Sequence, residues 1–330
     1  GGEGTLDVRN GGLVSLIGSD TSISVGADRG DGEGDGTLSI TGGSRVESLF
    51  FTVASQGGTG NVIVSGAGSR LVLDGAEPPS DAAYGNGAFM NLAVIGENSV
   101  ISISNHNAAL TNSYVAVGRS GEGEVTLEDG GELTGVLFAD IGRDASGSGS
   151  VVVTGAGSLF ELSGTNGPES DSPGQGAFLS VGEAGVGTLT VRDGGTARIV
   201  SETGQTPGFN VGRNPGSEGS IVLDGTNSRL EVVSAVDTPS TSAGVAQIGR
   251  AGSGSLEVLN GGQLAHADFG VFVVGTKPGS SGEVTLTGDG SSLNAGAALL
   301  IGADSVPGQF TADTVDFDEG GTGSVTVGSG

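Results

Sequence analysis

Apolar and polar positions alternate in short runs that are separated by glycine-rich corners. In residues 181–200, VGEAGVGTLTVRDGGTARIV, an apolar pair ending in Val-Gly precedes a glycine corner, the alternating run 187–191 and the corner 193–195. Alternation with period two between such corners predicts strand, turn, strand, turn, strand. We expect Leu189 to point inward and Thr190 outward, because successive side chains of a strand lie on opposite faces.

Copies of this unit recur along the chain and are marked by a Val-Gly or Ile-Gly step. Nearly every step is followed by another alternating run, as at 220–223 and 283–286. A unit repeated in this way is typical of a solenoid, in which stacked coils share one core. The steps begin at Val25, Ile95, Val117, Ile141, Val181, Val211, Ile248, Val274 and Ile301, with a weaker Val53-Ala54.

Two coil types alternate between residues 114 and 298. Short coils continue into a corner such as Asp193-Gly194-Gly195, and long coils into one such as Gly155-Ala156-Gly157-Ser158. The first third of the chain follows this rule less well, and 95–110 is degenerate. The pattern predicts an all-β fold, a parallel β-helix (β-solenoid) of about eleven coils with alternating short and long coil types.

A single domain over residues 1–330 is expected, because a solenoid buries one thin core along its length. Insertions interrupt the coils at 74–88, 163–176, 201–207, 234–243 and 303–321. The first four precede a Val-Gly strand, so they should leave the same corner and line one edge, where binding loops would lie. The alternating runs at 5–8 and 324–327 have no cap beside them. We expect either a segment of a longer chain or molecules that stack end to end.

The composition excludes several classes of function. The chain has 12 basic and 38 acidic residues, a formal net charge of −26 and no cysteine. Such an acidic surface repels phosphate backbones and anionic lipids, which argues against nucleic-acid partners and membrane insertion. Glycine is abundant at 68 residues and aromatic residues make up only 4%, so the core must consist of Val, Leu, Ile and Ala.

The repeats resemble those of bacterial autotransporter passenger domains and of PEP-CTERM-associated repeat proteins. The resemblance rests on VG-x-x-G-x-GTLTV-x-x-GG at 181–195, VG-x-x-G-x-G-x-VTL-x-x-GG at 117–131 and IG-x-x-x-x-GSGSVVVTGAGS at 141–158. It covers most of the chain and is weakest over 95–110. It implies a right-handed parallel β-helix that is displayed on or secreted by a Gram-negative bacterium.

The function expected from these features is that of an extracellular structural or adhesive rod, not an enzyme. Its partners would be other copies of itself, joined head to tail or laterally, or other surface components. The alternative is a carbohydrate-binding or carbohydrate-active β-helix that uses the insertion edge to hold a polysaccharide. Acidic residues converging in space with Tyr84, Phe89 and Phe178 would favour this alternative.

Few residues suggest catalysis. His106 and His266 lie in different coils without a nearby carboxylate pattern, so we expect solvated loop histidines. Four arginines directly follow a Val-Gly or Ile-Gly step and predict a broken column that compensates neighbouring acidic residues. They are Arg119, Arg143, Arg213 and Arg250.

One acidic corner resembles the start of a calcium loop. Asp31, Glu33 and Asp35 alternate with glycine in the manner of D-x-[DN]-x-[DN]-G, and Asp28 lies close by. The closing glutamate is missing, because that position is Gly42. The sequence leaves two alternatives open: a Ca²⁺ site formed by Asp28, Asp31, Glu33 and Asp35, or a solvated acidic corner.

Overall fold

The computed structural model describes most of the chain. The residues described are 2–16, 22–27, 34–48, 50–55, 59–73, 90–95, 100–103, 114–119, 121–164, 175–201, 206–234, 244–268, 270–303 and 320–328. Within them every regular element is a β-strand and every strand pair is parallel. The chain is therefore a parallel β-helix, as the sequence predicted. No helix in the described part has the length and apolarity needed to cross a membrane.

The first sheet contains one strand from each of eleven successive coils, in agreement with the predicted number. Its strands are β1 (Glu3–Val8), β4 (Asp35–Thr41), β7 (Thr59–Ser65), β9 (Met90–Ile95), β12 (Glu122–Glu128), β15 (Ser148–Thr154), β18 (Val186–Arg192), β21 (Glu218–Asp224), β24 (Ser253–Leu259), β27 (Ser281–Thr287) and β30 (Thr322–Val327).

The second sheet contains the strand that follows the next corner of each coil. Its strands are β2 (Leu13–Ser15), β5 (Arg45–Ser48), β8 (Arg70–Leu73), β10 (Val100–Ile103), β13 (Glu132–Val136), β16 (Leu159–Gly164), β19 (Thr196–Ser201), β22 (Arg229–Ser234), β25 (Gln263–Ala265) and β28 (Ser292–Asn294).

The third sheet contains the strands that end in the Val-Gly step. Its strands are β11 (Tyr114–Val117), β14 (Phe138–Ile141), β17 (Gln175–Val181), β20 (Thr206–Val211), β23 (Val245–Ile248), β26 (Val271–Val274) and β29 (Ala298–Ile301). In the first two coils the corresponding strands, β3 (Ser22–Ala27) and β6 (Phe50–Ser55), form a separate two-stranded sheet.

The core consists of files of inward side chains, one from each coil. Leu189 is fully buried between Val151 and Ile221, which are its register partners, while Thr190 remains partly exposed. The predicted inward and outward positions of this strand are thus confirmed. At the edges of the described solenoid, Leu6 and Leu299 hold inward register positions but are 41% and 42% exposed.

Glycine is required where the third sheet turns into the first. Gly182 has a φ of +68°, and a Cβ added to it would overlap the carbonyl oxygen of Glu218 in the next coil. A side chain is therefore opposed both by backbone strain and by a direct clash.

One strand assignment was wrong. Ile95-Gly96 was predicted to be a Val-Gly step of the third sheet, but β9 pairs with β7 and β12 in the first sheet. The residues 74–89 before it lie outside the described residues. The insertion at 74–88 therefore leads from the second sheet to the first, rather than to a described strand of the third sheet.

The other insertion boundaries are narrower than the sequence indicated. Strands β16 and β17 extend to Gly164 and begin at Gln175, and β19 and β20 extend to Ser201 and begin at Thr206. Residues 165–174, 202–205, 235–243 and 304–319 lie outside the described residues. The first three ranges each connect a strand of the second sheet with the next strand of the third sheet. These three insertions therefore share a corner, as predicted.

Candidate functional site

The outer surface of the third sheet brings aromatic residues into register. Phe138 pairs with Phe178 of the next coil, and Tyr114 with Phe138. Phe138 and Phe178 alternate with the inward residues and are partly exposed, and Phe138 also packs against the hydrophobic core. Gly208 follows Phe178 in the file, and a Cβ added to it would lie 3.1 Å from Phe178 Cε2. The absence of a side chain at Gly208 therefore leaves room for the ring of Phe178.

Two residues further along each strand lies a file of polar side chains. Asp140, Ser180, Asn210 and Gln247 follow one another in register from coil to coil. They alternate with inward apolar residues and so belong to the outer side, yet they are 9%, 1%, 4% and 3% exposed. Asn210 Oδ1 is enclosed without a hydrogen-bond donor among the described residues. An enclosed acceptor of this kind is uncommon in folded proteins.

The column predicted after the Val-Gly steps is present beside this polar file. Arg213 Nη1 lies 3.1 Å from Glu183 Oε1 and donates to Ser180 Oγ at 3.4 Å, and Arg250 Nη1 donates to the carbonyl oxygen of Arg213 at 3.3 Å. Arg143 Nε lies 3.9 Å from Asp140 Oδ2.

The predicted charge compensation is therefore confirmed for Arg143 and Arg213, whereas the contact described for Arg250 is with a backbone carbonyl. Arg119 also takes part, since its Nε lies 3.7 Å from Asp144 Oδ2. Glu183 was missed, although it directly follows the Val181-Gly182 step and its N–H bonds the Gly142 carbonyl in the same column. Its place in the repeat could have identified it as a member of the column, because it occupies the position that arginine holds in other coils.

Glu183 and Asp140 form an enclosed carboxyl pair between coils. Burial and then the neighbouring Asp140 carboxyl raise the pKa of Glu183 to about 8, against the opposing charges of Arg213 and Arg143. Glu183 Oε2 has no donor within reach in the described part of the chain when both carboxyls are ionised. A proton on Glu183 supplies that missing hydrogen bond, because the protonated carboxyl is a donor and Asp140 lies beside it.

We call this surface the third-sheet face. It comprises the outward files and the column: Phe138, Phe178, Asp140, Ser180, Asn210, Gln247, Arg143, Glu183, Arg213 and Arg250. The predicted insertions at 163–176, 201–207 and 234–243 fall between strands of the second sheet and the following strands of the third sheet. Of the aromatic residues proposed to converge, Phe178 is on the face, and Tyr84 and Phe89 lie outside the described residues.

Charge is distributed unevenly over the surfaces. The strands of the first sheet carry ten acidic residues and one arginine, Arg192, whereas those of the second carry four of each. The corner after the third sheet instead carries more basic than acidic residues in the described part. Its five basic residues are Arg119, Arg143, Arg213, Arg250 and Lys277, and its acidic ones are Asp140, Asp144 and Glu183.

His266 is buried, so the prediction of a solvated loop histidine was wrong. Ala265 pairs with Glu231 of the preceding coil. The next residue of that coil is the buried Val232, and His266 occupies the corresponding place in its own coil. Its side chain is 2% exposed, and neither ring nitrogen makes a well-aligned hydrogen bond within the described residues, although the Ala267 backbone lies nearby. Burial lowers its pKa to about 4, although the Ala267 carbonyl partly opposes this. His106 lies outside the described residues.

The predicted calcium corner falls almost entirely outside the described residues. Asp28, Asp31 and Glu33 are not among them, and Asp35 begins β4 with an exposed side chain. Within the described ranges no three His, Asp or Glu side chains lie close enough together to hold a metal ion. The Ca²⁺ site at this corner stays a prediction.

Comparison with known proteins gives two similarities. No protein-family model matches the chain. It is 25% identical over 185 residues to the uncharacterized protein YuaQ of Escherichia coli (strain K12), a match over 54% of this chain and 12% of that protein. The chain thus matches about an eighth of the length of this relative.

Among solved structures, the chain is similar to a TibC-catalyzed hyper-glycosylated fragment of TibA. The match is 16% identical and covers 93% of this chain and 99% of that one, with a TM-score of 0.18. A TM-score this low carries no argument about fold or function. The PEP-CTERM-associated part of the sequence resemblance has no support among these matches.

Proposed function

We propose that this chain forms part of an extracellular structural or adhesive rod of a bacterial surface or secreted protein. Eleven coils at about 4.8 Å each give the solenoid a length of about 50 Å. A stiff stack of this kind holds the outward side chains in fixed rows, which suits a surface that makes many repeated contacts. The observation that carries the proposal is the third-sheet face, where aromatic and polar residues from successive coils lie side by side.

Extracellular display is tested by the position of the protein in its native host. Antibodies raised against residues 114–303 should label intact cells or recover the protein from the medium, and external protease should remove the signal. Labelling that requires permeabilised cells would contradict this proposal.

End-to-end assembly into filaments is a further part of the proposal. The motif Thr322-Gly323-Ser324-Val325 of β30 matches Glu3-Gly4-Thr5-Leu6 of β1 in its alternation, so the two strands carry the same pattern for parallel pairing between copies. Electron microscopy at high salt and calcium tests this: filaments support assembly, and single rods under every condition contradict it.

A carbohydrate-binding role is the second candidate function. It is favoured by the register of Phe138 and Phe178 on the third sheet, whose strands are entered from the insertions. Asp140 and Glu183 lie toward the opposite end of the same strands. Absence of catalysis stays a prediction: incubation with a panel of polysaccharides should release no reducing ends.

A further inference from the structure

We infer that a groove on the outer face of the first sheet binds an oligosaccharide of an amino sugar whose amines are free and positively charged. The groove crosses β18, β21, β24 and β27 and has a volume of about 340 Å³. We call it the first-sheet groove. It lies on another surface than the third-sheet face, so the inference is independent of the functions proposed above.

The groove forms where short side chains separate longer ones. Two neighbouring files of outward residues line it, and Glu218 belongs to the first file and Glu283 to the second. Between these glutamates both files carry serine, whose side chain rises little above the sheet. The serines are Ser253 and Ser281 in the first file and Ser220 and Ser255 in the second.

The groove is open to solvent. The side chains of Glu218 and Glu283 are exposed, and Val186 at the other end of the groove is 46% exposed. Thr188 lies beside Val186 and is partly exposed. A ligand can therefore reach the lining residues without rearrangement of the solenoid, and Val186 offers an apolar contact for the C–H face of a sugar ring.

The carboxylates of the groove favour a cationic ligand. Neither Glu218 nor Glu283 makes an ion pair or a side-chain hydrogen bond within the described part of the chain. The strands of this sheet carry ten acidic residues and one arginine, and that arginine, Arg192, lies at the far end of β18 beside Asp193. An ammonium group that approaches the groove is therefore attracted by the whole sheet and meets two unpaired carboxylates.

A row of hydroxyl groups favours a saccharide. Thr188, Ser220 and Ser255 follow one another in register, and Ser255 Oγ donates to Ser220 Oγ at 3.1 Å. Each hydroxyl can both donate and accept a hydrogen bond. Successive coils lie about 4.8 Å apart, a spacing close to the length of one pyranose residue. An oligosaccharide parallel to the solenoid axis therefore meets a hydroxyl in each of three coils.

The same sheet is less suited to an extended basic peptide. Such a peptide gains most of its affinity by pairing its backbone with a free strand edge. Both edges of β21 and β24 are already paired with neighbouring strands, so the groove offers side chains only. By strand spacing and rise, the Cα atoms of Glu218 and Glu283 are about 12 Å apart, a span that the first and third residues of a trisaccharide reach.

Calorimetry with the β-1,4-linked trisaccharide of glucosamine tests the inference, at about pH 6, where its amines are protonated. The N-acetylated trisaccharide is the matched ligand, because it has the same rings without the positive charges. The inference expects the free amine form to bind at least ten-fold more tightly. Equal affinity for the two, or no heat from the free amine form at millimolar concentration, would overturn it.

Two variants locate the site, and each has a control in its own file. Glu218→Gln and Glu283→Gln should each weaken binding about ten-fold while the circular dichroism spectrum is unchanged. Glu122→Gln and Glu124→Gln are the controls, because these exposed glutamates occupy the same two files outside the groove. Every variant removes one negative charge, so an equal loss in all four would indicate diffuse attraction and contradict a site.

Trilysine separates the saccharide from a basic peptide. It carries a net charge similar to that of the glucosamine trisaccharide but no sugar rings, and it should bind at least ten-fold more weakly. Equally tight binding of trilysine would assign the groove to basic peptides and overturn the inference. The cell-labelling experiment is independent, so surface display without binding of the trisaccharide overturns this inference alone.

Discussion

Ser158 Oγ joins two coils at the corner between the first and second sheets. It donates to the Thr154 carbonyl oxygen of its own coil at 2.7 Å and accepts from the Gly130 N–H of the preceding coil at 3.1 Å. The same pair of bonds recurs at three other long coils, where the serine and glycine are Ser69 and Gly43, Ser228 and Gly194, and Ser291 and Gly261.

The step from a long coil to the next short one has its own connection. Asp193 Oδ2 accepts from Thr154 Oγ1 at 3.1 Å, and Asn260 Nδ2 donates to Asp224 Oδ1 at 2.8 Å. At these steps a side chain of each short coil is thus bonded to a side chain of the long coil before it.

Replacement of this serine should weaken the corner. Ser158→Ala leaves the Gly130 N–H, which is buried, without its acceptor, so the free energy of unfolding should fall by about 1–3 kcal/mol. Ser150→Ala is the control, because Ser150 points outward from β15 and should change stability by less than about 0.5 kcal/mol. Urea unfolding measures both, and equal losses would contradict the bridging role.

Gly182 should tolerate a side chain less well than Gly216. Both have positive φ, of +68° and +82°, so alanine at either position meets backbone strain of about 1–2 kcal/mol. Only at Gly182 would the new Cβ also overlap a carbonyl oxygen, because nothing lies within 4 Å of the position at Gly216. Thermal unfolding should show the larger loss for Gly182→Ala. The prediction is wrong if Gly216→Ala is equally destabilised.

The Glu183 carboxyl should make stability depend on pH. Its pKa rises from 4.5 to about 8 on folding, so the folded state binds the proton more tightly. The free energy of unfolding contributed by this group should therefore decrease as pH rises from about 4.5 to 8. Glu183→Gln keeps a donor for Asp140 and removes the titration. Urea unfolding between pH 5 and 8 should show a smaller slope in the variant, and an unchanged slope would refute the proton on Glu183.

His266 should act in the opposite direction. Its pKa falls from 6.5 to about 4 on folding, so the unfolded state binds the proton more tightly. Stability should be lost as pH falls from about 6.5 to 4, since the buried imidazole must then become charged without a partner. His266→Leu should remove this loss and leave the solenoid at least as stable at pH 7. Unfolding curves at pH 4.5 and 7 test this, and an equal loss in the variant would exclude His266 as its source.

Calcium binding at residues 28–35 is tested by calorimetry. If Asp28, Asp31, Glu33 and Asp35 bind Ca²⁺, titration with millimolar CaCl₂ should release heat, and chelation should lower the melting temperature. Asp31→Ala combined with Asp35→Ala should abolish both effects. No heat from the unmodified chain would remove the hypothesis.

The sequence by itself determined the coil. Period-two alternation placed Leu189 inward and Thr190 outward, and the glycine of each Val-Gly step indicated a corner that excludes side chains. These features depend on neighbours within a few residues, so they can be predicted from the sequence without knowledge of the fold. Local alternation is the same in every sheet, however, and for this reason the sheet of β9 was decided only by its pairing with β7 and β12.

The tertiary structure decided which coils meet at the candidate site. Phe138 and Phe178 are separated by a long coil and an insertion, yet they are adjacent because stacking aligns equivalent positions whatever the length of the loop between them. Glu183 lies in a column that otherwise contains arginines, so a search of the sequence for repeated basic residues does not identify it. His266 is buried directly after the last paired residue of β25, although its residue type suggests the surface. Stacking brings together residues that are far apart in the chain, so their contacts cannot be inferred from local sequence alone.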